Sequence, residues 1–438
     1  MKIIQHLILF TCILSPINLV YSFLFNPRTL SNFVKNSFQN VKKIRLKTVK
    51  DITQRINPIQ RVKRLIQRKI VEKRIHNKIN DHMHNKITDT TVNHKIHEEL
   101  EKMFQLSWYV IEETRNMKEN ILYKKTIHNK NYVVWKNKGI FHALDDACCH
   151  RGASLSRGIL NNEYISCPYH GLEFNGKGQL MDIPGETKLN YSFSCFQQNS
   201  YPITEKNGWI YLNTIGSHIY KSDQINLFQP PESQNNEFGC IYYNAEINAY
   251  SRIVSENLLD IMHISYVHSF GNTEKPLPIN DPNPLLLNPT MRHYQVVYLY
   301  VPGKDSIVTK LFSENRIIIE NEFILPHTVI SRVKFNKYTK TIMTFALPID
   351  GNKTRLFVKL YRNFGFNDPD NPFYYVFNKI VDAIILRILK NTLQEDKNII
   401  EHIKYQDMKG KFNMKYDKFP HIYRTLYESN LHKNYTKL

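Results

Sequence analysis

Two short pairs of cysteine and histidine residues carry side chains that bind metals. One residue separates Cys148 from His150 and two separate Cys167 from His170, with sixteen residues between the pairs. Each pair fits the tip of a β-hairpin loop, so two opposed loops would hold one metal centre between them. Two thiolates and two imidazoles are a donor set that also suits structural zinc. The spacing predicts a metal centre here.

A second group of candidate ligands follows later in the chain. Asn257, Asp260 and His263 recur every three residues, and on a helix such steps drift by only about 60°. His268 lies five residues after His263, so on a continuous helix the two imidazoles would diverge by about 140°. We therefore expect the helix to break after His263, near Tyr266, so that both imidazoles reach one metal.

The segments around the first group resemble the Rieske [2Fe–2S] motif. They are His150-Arg151-Gly152-Ala153-Ser154-Leu155-Ser156 and Cys167-Pro168-Tyr169-His170-Gly171. By this resemblance, Cys148 and Cys167 bind one iron of a [2Fe–2S] cluster, and His150 and His170 bind the other. Zinc is the disfavoured alternative.

Two positions depart from the Rieske domains of oxygenases. Cys149 stands where those domains usually have Pro, and Leu172 stands where they usually have Trp. Because Cys148 keeps the spacing to His150, we interpret Cys149 as a buried neutral thiol.

The disulfide of respiratory-chain Rieske proteins has no counterpart here. Ala153 and Tyr169 occupy the two matching positions. Without that bridge the resemblance implies a lower reduction potential, and electrons arriving from a ferredoxin-like donor in place of a quinol.

The segment from Glu256 to His268 resembles the mononuclear-iron motif of Rieske non-haem iron oxygenases. That resemblance implies that His263 and His268 bind Fe(II) together with one carboxylate, leaving positions open for O₂ and substrate.

The carboxylate must come from elsewhere in the chain. Residues 394–401 resemble the C-terminal helix of that family, which implies Asp396 as the third ligand. Glu395 is the alternative ligand, and Glu401 is interpreted as a helix-face charge.

The resemblance also gives Asp260 a catalytic role, with Asn257 as its companion in the motif. It implies that Asp260 lies between His263 and a cluster histidine, His170, of a neighbouring subunit in a ring of three. A carboxylate hydrogen-bonded to both imidazoles would orient them and couple the two centres. The alternative is a helix-face Asp260 that pairs with solvent or with Arg252.

Two centres in one chain imply an oxygenase. By resemblance it takes electrons from ferredoxin or a ferredoxin-like reductase and uses O₂ to oxygenate an organic substrate. A pure electron-transfer Rieske protein is the alternative, but it would need only the first domain. The motifs resemble the branch of pheophorbide a and chlorophyllide a oxygenases, which act on tetrapyrroles. The C-terminal anchor and Cys-x-x-Cys of the plant pheophorbide enzymes are not in this sequence, so choline, sterols and aromatic acids remain open as substrates.

Short apolar runs with turn signals predict the elements that position these residues. The predicted strands of the first part are 121–125, 132–135, 140–144 and 209–212, with a turn at 137–139. In the second part we predict a helix over 251–262 and another over 372–404. The predicted strands there are 294–301, 316–325, 329–335, 341–347 and 355–361. Asp382 and Arg387 interrupt the apolar run 380–389, so we do not expect it to span a membrane.

This pattern predicts an α+β protein. An all-β Rieske domain over 104–218 precedes an α+β catalytic domain over 236–438, in which helices flank an antiparallel sheet in the helix-grip manner.

The N-terminal part of the sequence is typical of a targeting sequence and not of a folded domain. Residues 1–22 have the short apolar core of a signal peptide, and 23–100 form a basic presequence or linker. The formal charge of +20 is concentrated there: residues 23–80 hold 16 Lys and Arg against 2 Asp and Glu. The rest is close to neutral, which argues against nucleic acid as a partner. We predict plastid import, with a secreted or endomembrane protein as the alternative.

Overall fold

A computed structural model describes residues 107–185, 196–217, 226–268, 278–300, 316–364, 372–404, 407, 410 and 412–437. The predicted signal peptide and presequence lie outside these residues. Residues 95–424 form one compact unit, which holds both groups of candidate metal ligands. The other unit comprises 1–94 and 425–438, and only the end of one helix is described in it.

The first part of the described chain is made of short antiparallel strands. They form a three-stranded sheet in the order β1-β10-β9, another in the order β2-β3-β4, and a four-stranded sheet in the order β5-β6-β7-β8. The strands are β1 (Trp108–Glu113), β2 (Tyr123–Ile127), β3 (Lys130–Asn137), β4 (Ile140–Asp145), β5 (Ile159–Asn161), β6 (Tyr164–Ser166), β7 (Glu173–Phe174), β8 (Leu180–Asp182), β9 (Ile203–Lys206) and β10 (Trp209–Asn213).

The second part is built on a seven-stranded antiparallel sheet in the order β11-β17-β16-β15-β14-β13-β12. Its strands are β11 (Gly239–Ile247), β12 (Leu285–Asn288), β13 (His293–Tyr300), β14 (Ile317–Ile324), β15 (Thr328–Phe335), β16 (Tyr338–Pro348) and β17 (Thr354–Arg362). The helices are α1 (Ser251–Leu259), α2 (Ile264–Val267), α3 (Pro372–Ile400) and α4 (Lys418–Lys437). This architecture confirms the predicted α+β fold class.

The large sheet has different neighbours on its two faces. Trp209 of the first part packs edge-on against Phe357 of β17, with ring centroids 6.4 Å apart. Tyr109 packs in the same way against Phe345 of β16. Helix α1 packs against β15, β16 and α3. The first part therefore covers one face, and side chains that alternate to the other face meet the helices.

Most predicted elements agree with the structure, and the differences fall at their ends. The turn after β3 is confirmed, with Lys138 and Gly139 both at positive φ. The first predicted strand begins two residues later, at Tyr123, and α3 ends at Ile400 rather than at 404. Strands β1, β5 to β9, β11 and β12 and helices α2 and α4 were not predicted.

Among the described residues, none of the helices combines the length and apolar content needed to cross a bilayer.

Candidate metal centres

The two cysteine–histidine pairs meet at neighbouring loops of the first part. Cys148 and His150 lie between β4 and β5, and Cys167 and His170 lie in the hairpin loop between β6 and β7. The thiols of Cys148 and Cys167 lie close enough for each to affect the pKa of the other. The ring centroids of the two histidines are 4.7 Å apart. The structure thus brings the four predicted side chains together.

Both loops use the same backbone arrangement. In each, the cysteine N–H donates to the carbonyl five residues later, at 2.8 Å. The cysteine carbonyl accepts from the glycine four residues later, from Gly152 at 2.8 Å and from Gly171 at 3.0 Å. Both glycines have φ of +73°, a conformation that strains any residue with a Cβ. Two matching turns therefore present the two pairs of side chains.

The donor set fits a Rieske cluster. Cys148 and Cys167 are only 3% and 4% exposed, whereas His150 and His170 are exposed. Burial raises the pKa of the Cys167 thiol. Bound iron would offset that cost, because a coordinated thiol is deprotonated. A cluster here would have its cysteine side in the protein and its histidine side at the surface.

Cys149 is not buried, contrary to our prediction. It is exposed, and the neighbouring Cys148 thiol lowers the pKa of the Cys149 thiol to about 7. Its N–H donates to Oε1 of Gln198 at 2.9 Å, and its Sγ lies 3.8 Å from the carbonyl oxygen of Phe196.

A buried carboxylate that we did not predict supports the first loop. Oδ1 of Asp146 accepts the Ser156 N–H at 2.6 Å, and Oδ2 accepts the Ser154 hydroxyl at 2.7 Å. Asp146 is 3% exposed. The available signal was an Asp two residues before the first cysteine, with serines eight and ten residues later.

The second centre depends on a break in the helix, which lies earlier than predicted. Helix α1 ends at Leu259, and Asp260 has extended backbone angles of −71° and 123°. His263 therefore precedes the short helix α2, and His268 follows it. Asn257 and Asp260 do not share a helix with His263. The two breaks bring the imidazoles of His263 and His268 together, with ring centroids 5.1 Å apart.

Side chains of the large sheet hold the broken segment. The Tyr300 hydroxyl donates to the carbonyl of Ile261 at 3.0 Å. The Asn321 side-chain amide donates to the carbonyl of Leu259 at 3.3 Å. Both groups thus bond carbonyls at the point where the helix ends.

Asp396 of α3 faces both histidines. Its Oδ1 lies 3.5 Å from Nε2 of His263 and 3.6 Å from Nε2 of His268. One ligand atom from each of the three residues lies within 4.8 Å of the others. Asp396 is 5% exposed and His268 is 8% exposed. The three predicted ligands therefore converge.

Two buried polar atoms at this point have no hydrogen-bond partner in the described structure. They are Oδ1 of Asp396 and Nδ1 of His263. An unpaired buried carboxylate oxygen is costly, and a cation between it and two imidazoles removes that cost. Two histidines and one carboxylate are also the donor set of non-haem Fe(II). The residues present fit a mononuclear iron.

Glu395, the alternative ligand, contacts the other side of His268. Its Oε2 lies 3.1 Å from Nδ1 of that ring. Such a contact fixes the ring and leaves Nε2 facing Asp396. Burial lowers the pKa of His268, which favours the neutral imidazole that a metal requires.

Asp260 lies beside His263 without a hydrogen bond to it. Its Oδ2 is 3.8 Å from Nδ1 of His263, and its Oδ1 accepts the Met262 N–H at 2.7 Å. Burial raises the pKa of the Asp260 carboxyl, and the charge of His263 opposes this. The Asn257 carbonyl accepts the Asp260 N–H at 3.2 Å. Within one protomer, the described residues show no contact between Asp260 and His170.

Comparison with known proteins matches each half to a family model. Residues 107–202 match the Rieske [2Fe-2S] domain. Residues 247–431 match the Vanillate O-demethylase oxygenase C-terminal domain. The chain belongs to the Rieske non-haem iron oxygenases. Members with this pair of domains have a [2Fe–2S] cluster and a mononuclear iron site.

Proteins similar to this chain have names that refer to different substrates. The chain is 30% identical to the iron-sulfur subunit TsaM1 of the toluene-4-sulfonate monooxygenase system of Comamonas testosteroni, over 37% of this chain and 45% of that protein. It is 28% identical to chloroplastic chlorophyllide a oxygenase of Chlamydomonas reinhardtii, over 39% of this chain and 25% of that protein. The alignments thus span less than half of these relatives.

A solved structure has the same fold as this chain. Dicamba monooxygenase bound to dicamba superposes with a TM-score of 0.61 at 19% identity, covering 76% of this chain and 99% of that one.

Proposed function

We propose that the protein is the oxygenase component of an electron-transfer system and uses O₂ to oxygenate an organic substrate. One observation carries this proposal: the ligand atoms of His263, His268 and Asp396 lie within 4.8 Å of one another in a chain that also has a Rieske domain. An electron-transfer protein has no use for the second centre. The electrons come from a ferredoxin or a ferredoxin-like reductase.

In this proposal Cys148 and Cys167 hold one iron of the cluster, and His150 and His170 hold the other. His263, His268 and Asp396 hold Fe(II), which supplies the O₂ chemistry when bound. Glu395 orients the His268 ring through Nδ1. The unpaired Oδ1 of Asp396 supports this assignment.

The active species in this proposal is a cyclic homotrimer, a closed ring of heterologous contacts. Two features support it. His150 and His170 are exposed, and the Asp260 side chain remains 30% exposed beside His263. Docking of one protomer's cluster loops over Asp260 of the next would let its carboxylate accept from both imidazoles. The main-chain carbonyl of Asn257 accepts the Asp260 N–H where α1 ends.

Replacing Asp260 by Asn tests this arrangement. We expect the variant to keep both metal centres and the trimer, but to lose most turnover, because oxidation of the reduced cluster slows. Stopped-flow absorbance measures that oxidation directly. Asp281→Asn removes an exposed carboxylate and is the control. An unchanged oxidation rate in Asp260→Asn, or full activity in a monomer, would show the proposal to be wrong.

For the substrate we propose a chlorophyll-type tetrapyrrole, handled in a plastid. The similarity to chloroplastic chlorophyllide a oxygenase and the basic, acid-poor N-terminal sequence support it. The second candidate is an aromatic acid, favoured by the similarity to the toluene-4-sulfonate system.

A turnover screen separates these candidates. The protein, ferredoxin, its reductase and NADPH are combined with chlorophyllide, pheophorbide, toluene sulfonate, vanillate or choline, and O₂ uptake and product mass are measured. We expect a product heavier by oxygen only with a tetrapyrrole. O₂ uptake with the small compounds alone would contradict the tetrapyrrole proposal.

A reporter fused to residues 1–100 tests plastid import. If the reporter is found only in the medium, plastid import is contradicted.

A further inference from the structure

One glutamine outside the cluster loops engages the main chain on both sides of Cys148. Gln198 is 3% exposed. Its Nε2 donates to the carbonyl of Asp145 at 3.0 Å and to that of Ala147 at 2.8 Å. Its Oε1 accepts the N–H of Cys149 at 2.9 Å. All the strong hydrogen-bonding groups of this side chain thus serve one stretch of backbone.

Gln198 is itself held in place. Its own N–H donates to the carbonyl of Gly178 at 2.7 Å. A Cβ on Gly178 would lie 2.0 Å from the Gln198 carbonyl oxygen, so the two backbones approach as closely as glycine permits. The next residue, Asn199, receives the Asp145 N–H at 3.0 Å. The amide is therefore fixed before any metal binds.

The bond to Cys149 has a chemical consequence. Hydrogen bonds from N–H groups to the sulfurs of an iron–sulfur cluster stabilise its reduced form and raise its reduction potential. Cys149 stands between two proposed ligands, Cys148 and His150. Gln198 accepts the hydrogen bond of the Cys149 N–H. This N–H is therefore withheld from the sulfurs of the cluster.

We propose that Gln198 is a positioning residue that lowers the reduction potential of the Rieske cluster by sequestering the Cys149 N–H. This inference rests on the proposed cluster ligands. It goes beyond them by assigning part of the potential to a side chain fifty residues away in the sequence. When Gln198 is removed, the Cys149 N–H is no longer occupied and becomes available to the sulfurs of the cluster.

The test is a redox titration of the full-length protein with its cluster, followed by absorbance and electron-paramagnetic resonance. We expect Gln198→Leu to favour the reduced form at least tenfold, which for a one-electron couple is a rise of about 59 mV. The matched control is Gln197→Leu, because Gln197 is exposed and its amide only reaches the Lys177 carbonyl at 3.5 Å. Equal potentials in the two variants would overturn the proposal.

A second pair of variants covers the case in which Gln198→Leu does not hold its cluster. Cys149→Pro removes the N–H, and Cys149→Ala removes only the thiol. If Gln198 sequesters the N–H, the two variants have the same potential. A lower potential in Cys149→Pro would mean that the N–H already serves the cluster, and the proposal would be wrong. Absence of a [2Fe–2S] signal in the unaltered protein would instead contradict the proposed ligands themselves.

Discussion

Two adjacent acids on α3 contact different atoms of the histidine rings and therefore have different roles. Oδ1 of Asp396 faces the Nε2 atoms of both histidines, while Oε2 of Glu395 meets Nδ1 of His268. Neighbouring positions on a helix point about 100° apart, so only one of the two acids can reach the space between the rings. The other acid can still touch the outer edge of one ring.

These contacts predict different losses of iron. Asp396→Ala should abolish binding of the mononuclear iron, because one of three ligands is lost. Glu395→Gln should weaken iron binding or activity about 10–100-fold, which is typical of a group that orients a ligand. Metal analysis of the anaerobically prepared variants, corrected for cluster iron through the sulfide content, measures both.

Glu401→Gln is the control, since the Glu401 side chain bonds the Asn248 N–H, at 2.8 Å, and not a histidine. The reverse order, with iron lost in Glu395→Gln and retained in Asp396→Ala, would exchange the two roles.

At the scale of elements, the cluster loops and the broken helix are shaped by contacts from outside themselves. Gly152 and Gly171 have the same φ, but their surroundings differ. A Cβ at Gly171 would lie 2.8 Å from Cγ of Pro184, whereas nothing lies within 4 Å of a Cβ at Gly152. The second loop is therefore packed and the first is open at the corresponding point.

Alanine at these two glycines should separate strain from packing. Gly152→Ala costs about 1 kcal/mol for a left-handed residue. Gly171→Ala has the same cost and must also displace Pro184, so we expect it to lose its cluster markedly faster. The rate at which visible absorbance bleaches on warming measures this. Equal rates would show that Pro184 yields freely.

Hydrogen bonds from the large sheet hold the segment that follows α1, and replacing Tyr300 tests their contribution. Tyr300→Phe leaves the Ile261 carbonyl without its donor, at a cost of about 1–3 kcal/mol. We expect weaker iron binding and earlier thermal unfolding of the second domain. Tyr298→Phe, on the same face of β13, removes a hydroxyl that does not bond this carbonyl and should have a smaller effect.

At the scale of the whole molecule, histidines from both domains meet where the domains pack. His128 in the β2–β3 turn and His327 in the β14–β15 turn have ring centroids 6.2 Å apart. Burial lowers the pKa of His128 to about 4, and burial also lowers the pKa of His327 well below its ordinary value. Both rings are therefore neutral in the folded protein at pH 7.

This junction predicts a loss of stability in acid. The unfolded chain protonates His128 near pH 6.5 and the folded chain only near pH 4, so the unfolded state binds more protons between these values. Stability therefore falls as the pH decreases through this window, with about 2 kcal/mol lost through His128 by pH 5. Melting temperatures at pH 7.5 and pH 5 should differ less in His128→Gln than in the unaltered protein. An identical difference in the two proteins would show that His128 does not cause the loss of stability in acid.

Much of the molecule follows from local sequence. Five of the seven strands of the large sheet, β13 to β17, were predicted to within a few residues, because alternating apolar residues and turn signals act over short distances. The motif spacings around Cys148 and His263 pointed to the residues that converge. Asp396 was chosen over Glu395 by resemblance alone.

Other features were decided only by the tertiary structure. The sequence pattern continues helically past Leu259, yet the helix ends there because Asn321 and Tyr300, distant in sequence, bond the freed carbonyls. The hydrogen bonds of Gln198 to the main chain around Cys148 likewise depend on a segment fifty residues away. Local patterns report what a few neighbouring residues prefer, whereas the partner of a buried polar group is set by how the folded chain brings distant segments together.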